Sequence, residues 1–285
     1  LVGETVGGRY TIRHVFADGV LARTYAGIDE HNGERCMIKV MYGDYAAVER
    51  QRQRFTREAE VGSRLCHPNV LAVVDAGETR AGLPFLVTVH VDGTPLSEII
   101  ALHAPLGTER ATRLLADVCA GLAHIHERGF VHRSLSGDAI LVTHFRDSEA
   151  AIIVDLGIAF EADAESTSLA RRVTRAGKLV GAPAYMSPEQ GSGAVLDQRA
   201  DLYGLGVLLY TMLCGRLPFD GTAIELASHN LSGDVPLIQD RVPGLRVDQR
   251  LEQVASKLMR KNPSERFQTA NELLHILEVP TLWST

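Results

Sequence analysis

The side chains in this chain that could do chemistry gather in a few short stretches. His132-Arg133-Ser134-Leu135-Ser136-Gly137-Asp138-Ala139-Ile140-Leu141 sets an imidazole, a guanidinium, two hydroxyls and a carboxylate inside an apolar frame. Neither Ser134 nor Ser136 is a general base at neutral pH, and neither brings charge to an oxyanion. Asp138 is the carboxylate of the stretch, and Gly137-Asp138 also reads as simple turn chemistry. Lys39, in the β-rich run Cys36-Met37-Ile38-Lys39, and Asp155, at the head of Asp155-Leu156-Gly157, are a cation and an anion suited to phosphate and metal. Taken singly, each is an ordinary solvated charge or turn. His124 and His126 stand two apart on a helix and point to different faces, so they do not form a shared metal site.

The elements that must position these groups change character along the chain. Residues 9 to 89 read mostly as strands: Arg9 to Phe16, Thr24 to Asp29, Arg35 to Val40, Val70 to Ala76 and Leu83 to Val89, with Asn32-Gly33 as a hairpin turn. The charged segment Val48 to Leu65 carries Phe55, Ala59 and Gly62 on one face at helical spacing, giving one helix on a small antiparallel sheet. From Ser97 onward helices dominate. Thr108 is expected to cap a helix with Ala111, Leu114, Leu115, Val118, Leu122 and Ile125 on its buried face, ending at Gly129. Ser187-Pro188-Glu189-Gln190 reads as a capping box with Pro at the first helical position, and Thr269 with Glu272 as another. Leu202 to Gly215 has no charge on any face and reads as a helix buried all round.

With 285 residues and 45% hydrophobic content the chain exceeds one compact core, so two lobes are expected, residues 1–92 and 93–285. The 29 Lys and Arg against 35 Asp and Glu give a net charge of −6, which argues against nucleic acid or an acidic membrane as the main partner. Cys36, Cys66, Cys119 and Cys214 are scattered within apolar stretches, pointing to buried thiols in a reducing, cytoplasmic setting. No run reaches the length of a membrane span. A chain starting at Leu1 reads as a piece of a longer protein, for which this segment would be the cytoplasmic part.

In this order and spacing the chain resembles, from about Arg9 to Val279, the bacterial eukaryotic-type (Hanks-type) Ser/Thr protein kinases. The resemblance implies an α+β, bilobal protein-kinase fold: a small antiparallel N-lobe sheet with one helix and a larger, mainly helical C-lobe. It also implies that Lys39 reaches the nucleotide phosphates and pairs with Glu58, and that Asp155 holds Mg²⁺. Gly19 then belongs to the phosphate-covering loop, Met37 to the roof over the base, and Thr88, Val89 and Val91 to the hinge beside it. Gly181 to Gln190 matches the substrate-binding loop and the segment after it, with Arg266 the ion-pair partner of Glu189. Arg133 is the family's partner for a phosphorylated loop residue, for which Thr174, after Arg171-Arg172-Val173, is the candidate.

Several positions depart from the family. Its catalytic Asp, Lys and Asn fall on Ser134, Ser136 and Ala139, and the Thr of its substrate loop on Ala182. The phosphate-covering glycines are reduced to Gly19 between Ala17 and Ala22, with Asp18 adding charge near the phosphates. Met37 and Thr24 replace the family's usual Ala and Val, so the Met thioether competes with the base for space. These departures lead to the expectation of a catalytically inactive pseudokinase, a scaffold or allosteric regulator. On that reading no cofactor is required, ATP with Mg²⁺ binds weakly or not at all, and the partner is a protein, another kinase or a phosphothreonine-reading domain. The alternative is an atypical or slow Ser/Thr kinase using Lys39, Asp155 and Asp138 as a surrogate carboxylate.

Overall fold

The computed structural model describes residues 1–145, 148–156, 160–161 and 182–278. The chain divides into two compact units. The first comprises residues 1–92 with Asp155 and Leu156, and the second comprises 93–154 with the described residues from 160 onward.

In the first unit, strands β1 (Thr5–Val6), β2 (Tyr10–Asp18), β3 (Ala22–Asp29), β4 (Arg35–Met41), β5 (Val73–Glu78) and β6 (Pro84–Val89) form one sheet in the order β1-β2-β3-β4-β6-β5, with antiparallel pairings throughout. Alternation along the strands sends Tyr10, Ile12, Tyr25, Cys36, Ile38, Val40, Phe85 and Val87 into a common core. The same register places Ala26, Met37 and Thr88 in one cross-strand row, and Thr24, Lys39 and Leu86 in the next. Side chains of paired residues share a face, so Met37 and Lys39 project from the face opposite Ile38.

A one-turn helix α1 (Gly43–Ala46), beyond the single helix expected, precedes α2 (Glu49–Ser63). Helix α2 packs Phe55 and Ala59 against Ala22, Met41 and Leu86. Its last turn comes down on β5 at Gly62, where a Cβ would collide with the Val73 side chain. The close approach fixes which face of α2 meets the sheet, and Glu58 lies on that buried face.

In the second unit a short strand β7 (Gly93–Pro95) leads into α3 (Leu96–His103) and α4 (Thr108–Glu127). The cap of α4 is Gly107 in extended conformation, not Thr108, which is already helical. Gly129 then takes φ +78, a turn that suits a residue without Cβ. After β8 (Phe130–Val131) and a 3-10 turn at Gly137–Ala139, β9 (Ile140–Phe145) pairs with both β10 (Ser148–Ile153) and β7, while β11 (Phe160–Glu161) pairs with β8. Helix α5 (Pro188–Ser192) starts with the full Ser187 and Gln190 capping box. Helix α6 (Arg199–Cys214) is buried from Ala200 to Cys214 and ends at Gly215 in the left-handed region. It forms the centre of this unit. Each fully enclosed aliphatic side chain, such as Leu205 or Leu208, contributes about 1.5–3 kcal/mol through burial.

Helices α7 (Ala223–Ser232), α8 (Ile238–Arg241), α9 (Gln249–Leu258) and α10 (Ala270–Glu278) complete the described chain. At α10, Thr269 accepts from the Glu272 N–H, and the Glu272 carboxylate turns back to the Gln268 N–H. Cys36, Cys119 and Cys214 are buried free thiols, whereas Cys66 is exposed, against the expectation for it. Among the described residues no helix is long and apolar enough to cross a membrane.

Candidate active site

Lys39, Glu58 and Asp155 meet in the first unit. Lys39 Nζ donates to both carboxylate oxygens of Glu58, at 2.8 and 3.0 Å, and lies 3.4 Å from Asp155 Oδ1. The alternation of β4 puts Lys39 on its face of the sheet, and the seating of α2 at Gly62 brings Glu58 to it. Burial opposes the Lys39 charge, but the two carboxylates outweigh it and raise its pKa above the ordinary lysine value, so the ammonium is kept. Asp155 has a side chain 61% exposed. It can face a ligand in a way that the buried Glu58 cannot.

Among the described residues, the non-glycine positions with positive φ are Asp155, at +62°, and Arg133, at +64°. Such a backbone costs of order 1–3 kcal/mol where a side chain is present, and it persists only where its surroundings enforce it. Sequence patterns gave no sign of either. At Arg133 the enforcement is visible: its N–H donates to Asp201 Oδ1 at 2.6 Å and its carbonyl accepts from Gln190 Nε2 at 2.9 Å. Asp201 Oδ2 also accepts from the His132 N–H and from His126 Nε2, both at 2.8 Å. Burial opposes the Asp201 charge, yet these donors hold its pKa below the usual carboxylate range. His126 thus serves a buried hydrogen-bond network, and His132 is a packed structural residue. The Glu189–Arg266 pair is formed as well, with two parallel bonds of 2.7 and 2.8 Å.

The turn carried by this frame holds Ser134, half buried, and Ser136 and Ala139, both buried. Asp138 is exposed and accepts a hydrogen bond from Ser97 Oγ. Near it, burial pushes the Tyr185 hydroxyl up to about 12, with the Gly137 N–H as a partner and Asp138 adding to the rise. Ser97 and Tyr185 were not singled out in the sequence, because their roles depend on long-range placement.

The β2–β3 hairpin corrects one expectation. The Asp18 carboxylate is not a bare charge, since it accepts from Tyr42 Oη at 2.7 Å and from Arg23 Nε at 2.5 Å. Together they hold its pKa below the ordinary value. Gly19 spends its own N–H on the Ala22 carbonyl, and a Cβ there would stand 2.9 Å from that oxygen. The hairpin tip is therefore a closed turn. Of the remaining positions, Met37 pairs across strands with Thr88, Val89 pairs with Cys36, and Val91 follows β6 half buried. Thr174 lies outside the described residues, as do Gly157 and Gly181.

The chain matches the family described as "Protein kinase domain" over residues 10–277. This chain belongs to the protein kinase domain family. The kinase domain is 33% identical over 93% of its length to "Serine/threonine-protein kinase pkn3" of Myxococcus xanthus, covering 48% of that protein. It is 31% identical over 96% of its length to "Serine/threonine-protein kinase PrkC" of Bacillus subtilis, covering 40% of it. It is 34% identical over 93% to "Serine/threonine-protein kinase PknB" of Mycobacterium leprae, covering 42%. The chain thus spans less than half the length of these curated relatives. Among solved structures, a Mycobacterium tuberculosis PknI kinase domain superposes with a TM-score of 0.72 at 26% identity, with 97% of each chain covered.

These relatives overturn the expectation of a catalytically inactive pseudokinase acting as a scaffold. Proteins that share about a third of the sequence across nearly the whole domain are named Ser/Thr protein kinases. The expectation failed because it weighed the departures, at Ser134, Ser136, Ala139 and Ala182 and around Gly19 and Met37, above the assembled remainder. The Lys39, Glu58 and Asp155 cluster is intact, and a carboxylate stands in the same turn at Asp138.

Proposed function

We propose that this domain is an atypical Ser/Thr protein kinase that transfers the γ-phosphoryl group of ATP to a protein hydroxyl. The observation that carries the reading is the Lys39 ammonium held 2.8 Å from Glu58 and 3.4 Å from the exposed Asp155. Lys39 would neutralise phosphate oxygens of the nucleotide, and Glu58 keeps that ammonium in place. Asp155, exposed and held in a strained backbone, suits a divalent cation. Ala139 offers no second ligand, so the nucleotide phosphates and water would complete the coordination. Mg²⁺ there would offset charge on the transferring group.

In the reaction the substrate oxygen forms a bond to the γ-phosphorus while the bond to the β,γ-bridging oxygen breaks, releasing ADP. The hydroxyl proton needs an acceptor. Asp138 is the carboxylate of the catalytic turn and takes that role in this reading, with Ser97 orienting it. The substrate is a protein bearing Ser or Thr, and ATP with Mg²⁺ is required although bound weakly. Four cysteines without a disulfide fit a reducing, cytoplasmic compartment.

The test is transfer of radiolabelled γ-phosphate to a generic basic protein and to the domain itself, comparing wild type with Lys39→Ala, Asp155→Ala and Asp138→Asn. Wild-type transfer abolished by the first two substitutions and reduced at least tenfold by the third is the expected result. Transfer that survives Asp138→Asn would remove Asp138 from the mechanism. No transfer above the Lys39→Ala background would sink the reading as a whole.

A further inference from the structure

His90 follows the last residue of β6 and reaches back to the strand that carries the lysine. Its Nδ1 lies 3.2 Å from Met37 Sδ. The other ring nitrogen, Nε2, lies 2.8 Å from Asp92 Oδ1. The thioether sulfur and the carboxylate that faces the other ring nitrogen are both acceptors, so the two contacts are hydrogen bonds together only when the ring carries a hydrogen on each nitrogen. Asp92 is in turn gripped by the Arg35 guanidinium, with Nη2 2.5 Å from Oδ2. Arg35 opens β4 two residues before Met37, and Asp92 follows His90 by two. The chain of contacts from Arg35 through Asp92 and His90 to Met37 therefore closes a loop between the adjoining ends of β4 and β6. All four residues belong to the first unit.

A methionine side chain has three rotatable bonds and ordinarily adapts to its neighbours. Here its far end is tied down. Met37 shares a cross-strand row with Thr88 and a face with Lys39, two residues along. A purine whose phosphates engage Lys39 must lie over that face, beside the backbone of Val89 to Val91. The tether draws the sulfur toward His90, the residue between those two valines. A sulfur held there would stand at the edge that the base needs.

We propose that His90 is a positioning residue that latches the Met37 thioether across the base-binding face, so that a purine nucleotide enters only after this contact is released. The inference rests on the nucleotide-binding reading above. It assigns the weak affinity expected there to a specific tethered contact and not to the bulk of Met37 alone. Arg35 and Asp92 act through His90 by fixing the ring.

Calorimetric titration of the chain with MgATP tests it, using wild type, His90→Ala, His90→Phe, Met37→Ala and the His90→Ala/Met37→Ala pair. His90→Phe keeps the ring bulk and removes the donor, and thermal melts show that each variant folds. Loss of one hydrogen bond to sulfur should tighten the dissociation constant about fivefold in both His90 variants. Met37→Ala should tighten it at least as much, and adding His90→Ala to Met37→Ala should give no further gain. In phosphotransfer assays of the two His90 variants KM for MgATP should fall in step while kcat is unchanged. If folded His90 variants bind MgATP no more tightly than wild type while Met37→Ala does, the latch is refuted and the nucleotide site stands. Additive gains in the double variant would refute it too. If none of the chains binds MgATP, Met37→Ala included, the nucleotide-binding reading falls and the latch with it.

Discussion

Two charged clusters in this molecule are built from the same kinds of group and treated in opposite ways. Around Asp201 the side chains are sealed: the carboxylate is 0% exposed and His126 is 3% exposed, and both carboxylate oxygens accept from the protein itself. Around Lys39 the cluster is sealed on one side only, with Glu58 8% exposed and Asp155 61% exposed. A buried carboxylate filled by its own protein's donors shapes the chain and has nothing left for a ligand. An exposed one beside a fixed ammonium keeps that capacity. Three of the departures from the family's pattern, Ser134, Ser136 and Ala139, lie on the turn that the first cluster supports, and the supporting frame itself is complete.

The contrast is most directly broken at the sealed end. Asp201→Ala should leave the N–H groups of His132 and Arg133 unpaired in the interior, and Arg133 would lose what enforces its positive φ. Removing one member of such a buried charged network costs about 3–5 kcal/mol. Urea denaturation should show this loss, and phosphotransfer should disappear along with structure. Arg266→Met, which strands Glu189, should behave alike. A variant that loses activity at unchanged stability would place Asp201 with the ligand-facing groups and dissolve the distinction.

Lys39→Met is the reciprocal test. Phosphotransfer should fall by at least about 100-fold, the scale for removing a charge aimed at a transition state. The urea midpoint should move less than for Asp201→Ala, because Lys39 remains 28% exposed. A larger loss of stability than at Asp201 would make this cluster structural first and chemical second.

How far these clusters could be seen in the sequence depends on what fixes them. Lys39 with Glu58, and Glu189 with Arg266, are legible through the resemblance to the kinase family, while strand alternation, helix spacing and the capping box place only one side of each pair on its element. Thr108 has the residue type of a cap, yet Gly107 takes that place, because the cap is the last residue with a non-helical backbone and residue type only biases that angle. Of the two partners of Asp18, Arg23 stands opposite it on the hairpin and follows from the register, whereas Tyr42 comes from beyond β4, where no local spacing points back to the hairpin. The His90 contact with Met37 depends on how one flexible side chain lies, which residue order cannot show. Judging activity from the departures had the same defect: it read chemistry from aligned positions, with the neighbouring carboxylate Asp138 kept only as an alternative.

Lys261 sharpens the comparison as the exception within the second unit. Its ammonium donates to neutral oxygens, the Tyr203 hydroxyl at 3.1 Å and the His229 and Asn230 carbonyls at 3.3 and 3.0 Å. Burial, with Arg266 adding to it, lowers its pKa from 10.5 to about 8. Between those values the unfolded chain holds a proton that the folded one has released, so stability rises with pH across that window. Wild type should therefore gain in urea midpoint relative to Lys261→Met on going from about pH 7.5 to about pH 9.5. A difference that stays flat or reverses would mean that the charge is satisfied after all.

The smallest effect is expected at the hairpin, where two views of Asp18 diverge. If its carboxylate repelled the nucleotide phosphates, Asp18→Asn would lower KM for MgATP severalfold. With Tyr42 and Arg23 already bound to it, the charge is largely spent within the hairpin, and Asn can still accept from both. KM should then change by less than about twofold, since exposed ion pairs at a surface have little influence on their surroundings. Arg23→Met supplies the control. It leaves the same carboxylate with Tyr42 alone, and should raise KM if charge at this tip is felt by the phosphates. A KM that responds to Arg23→Met and not to Asp18→Asn would show that the neutralising pair keeps the hairpin compatible with an anionic ligand, in place of the glycines the loop lacks.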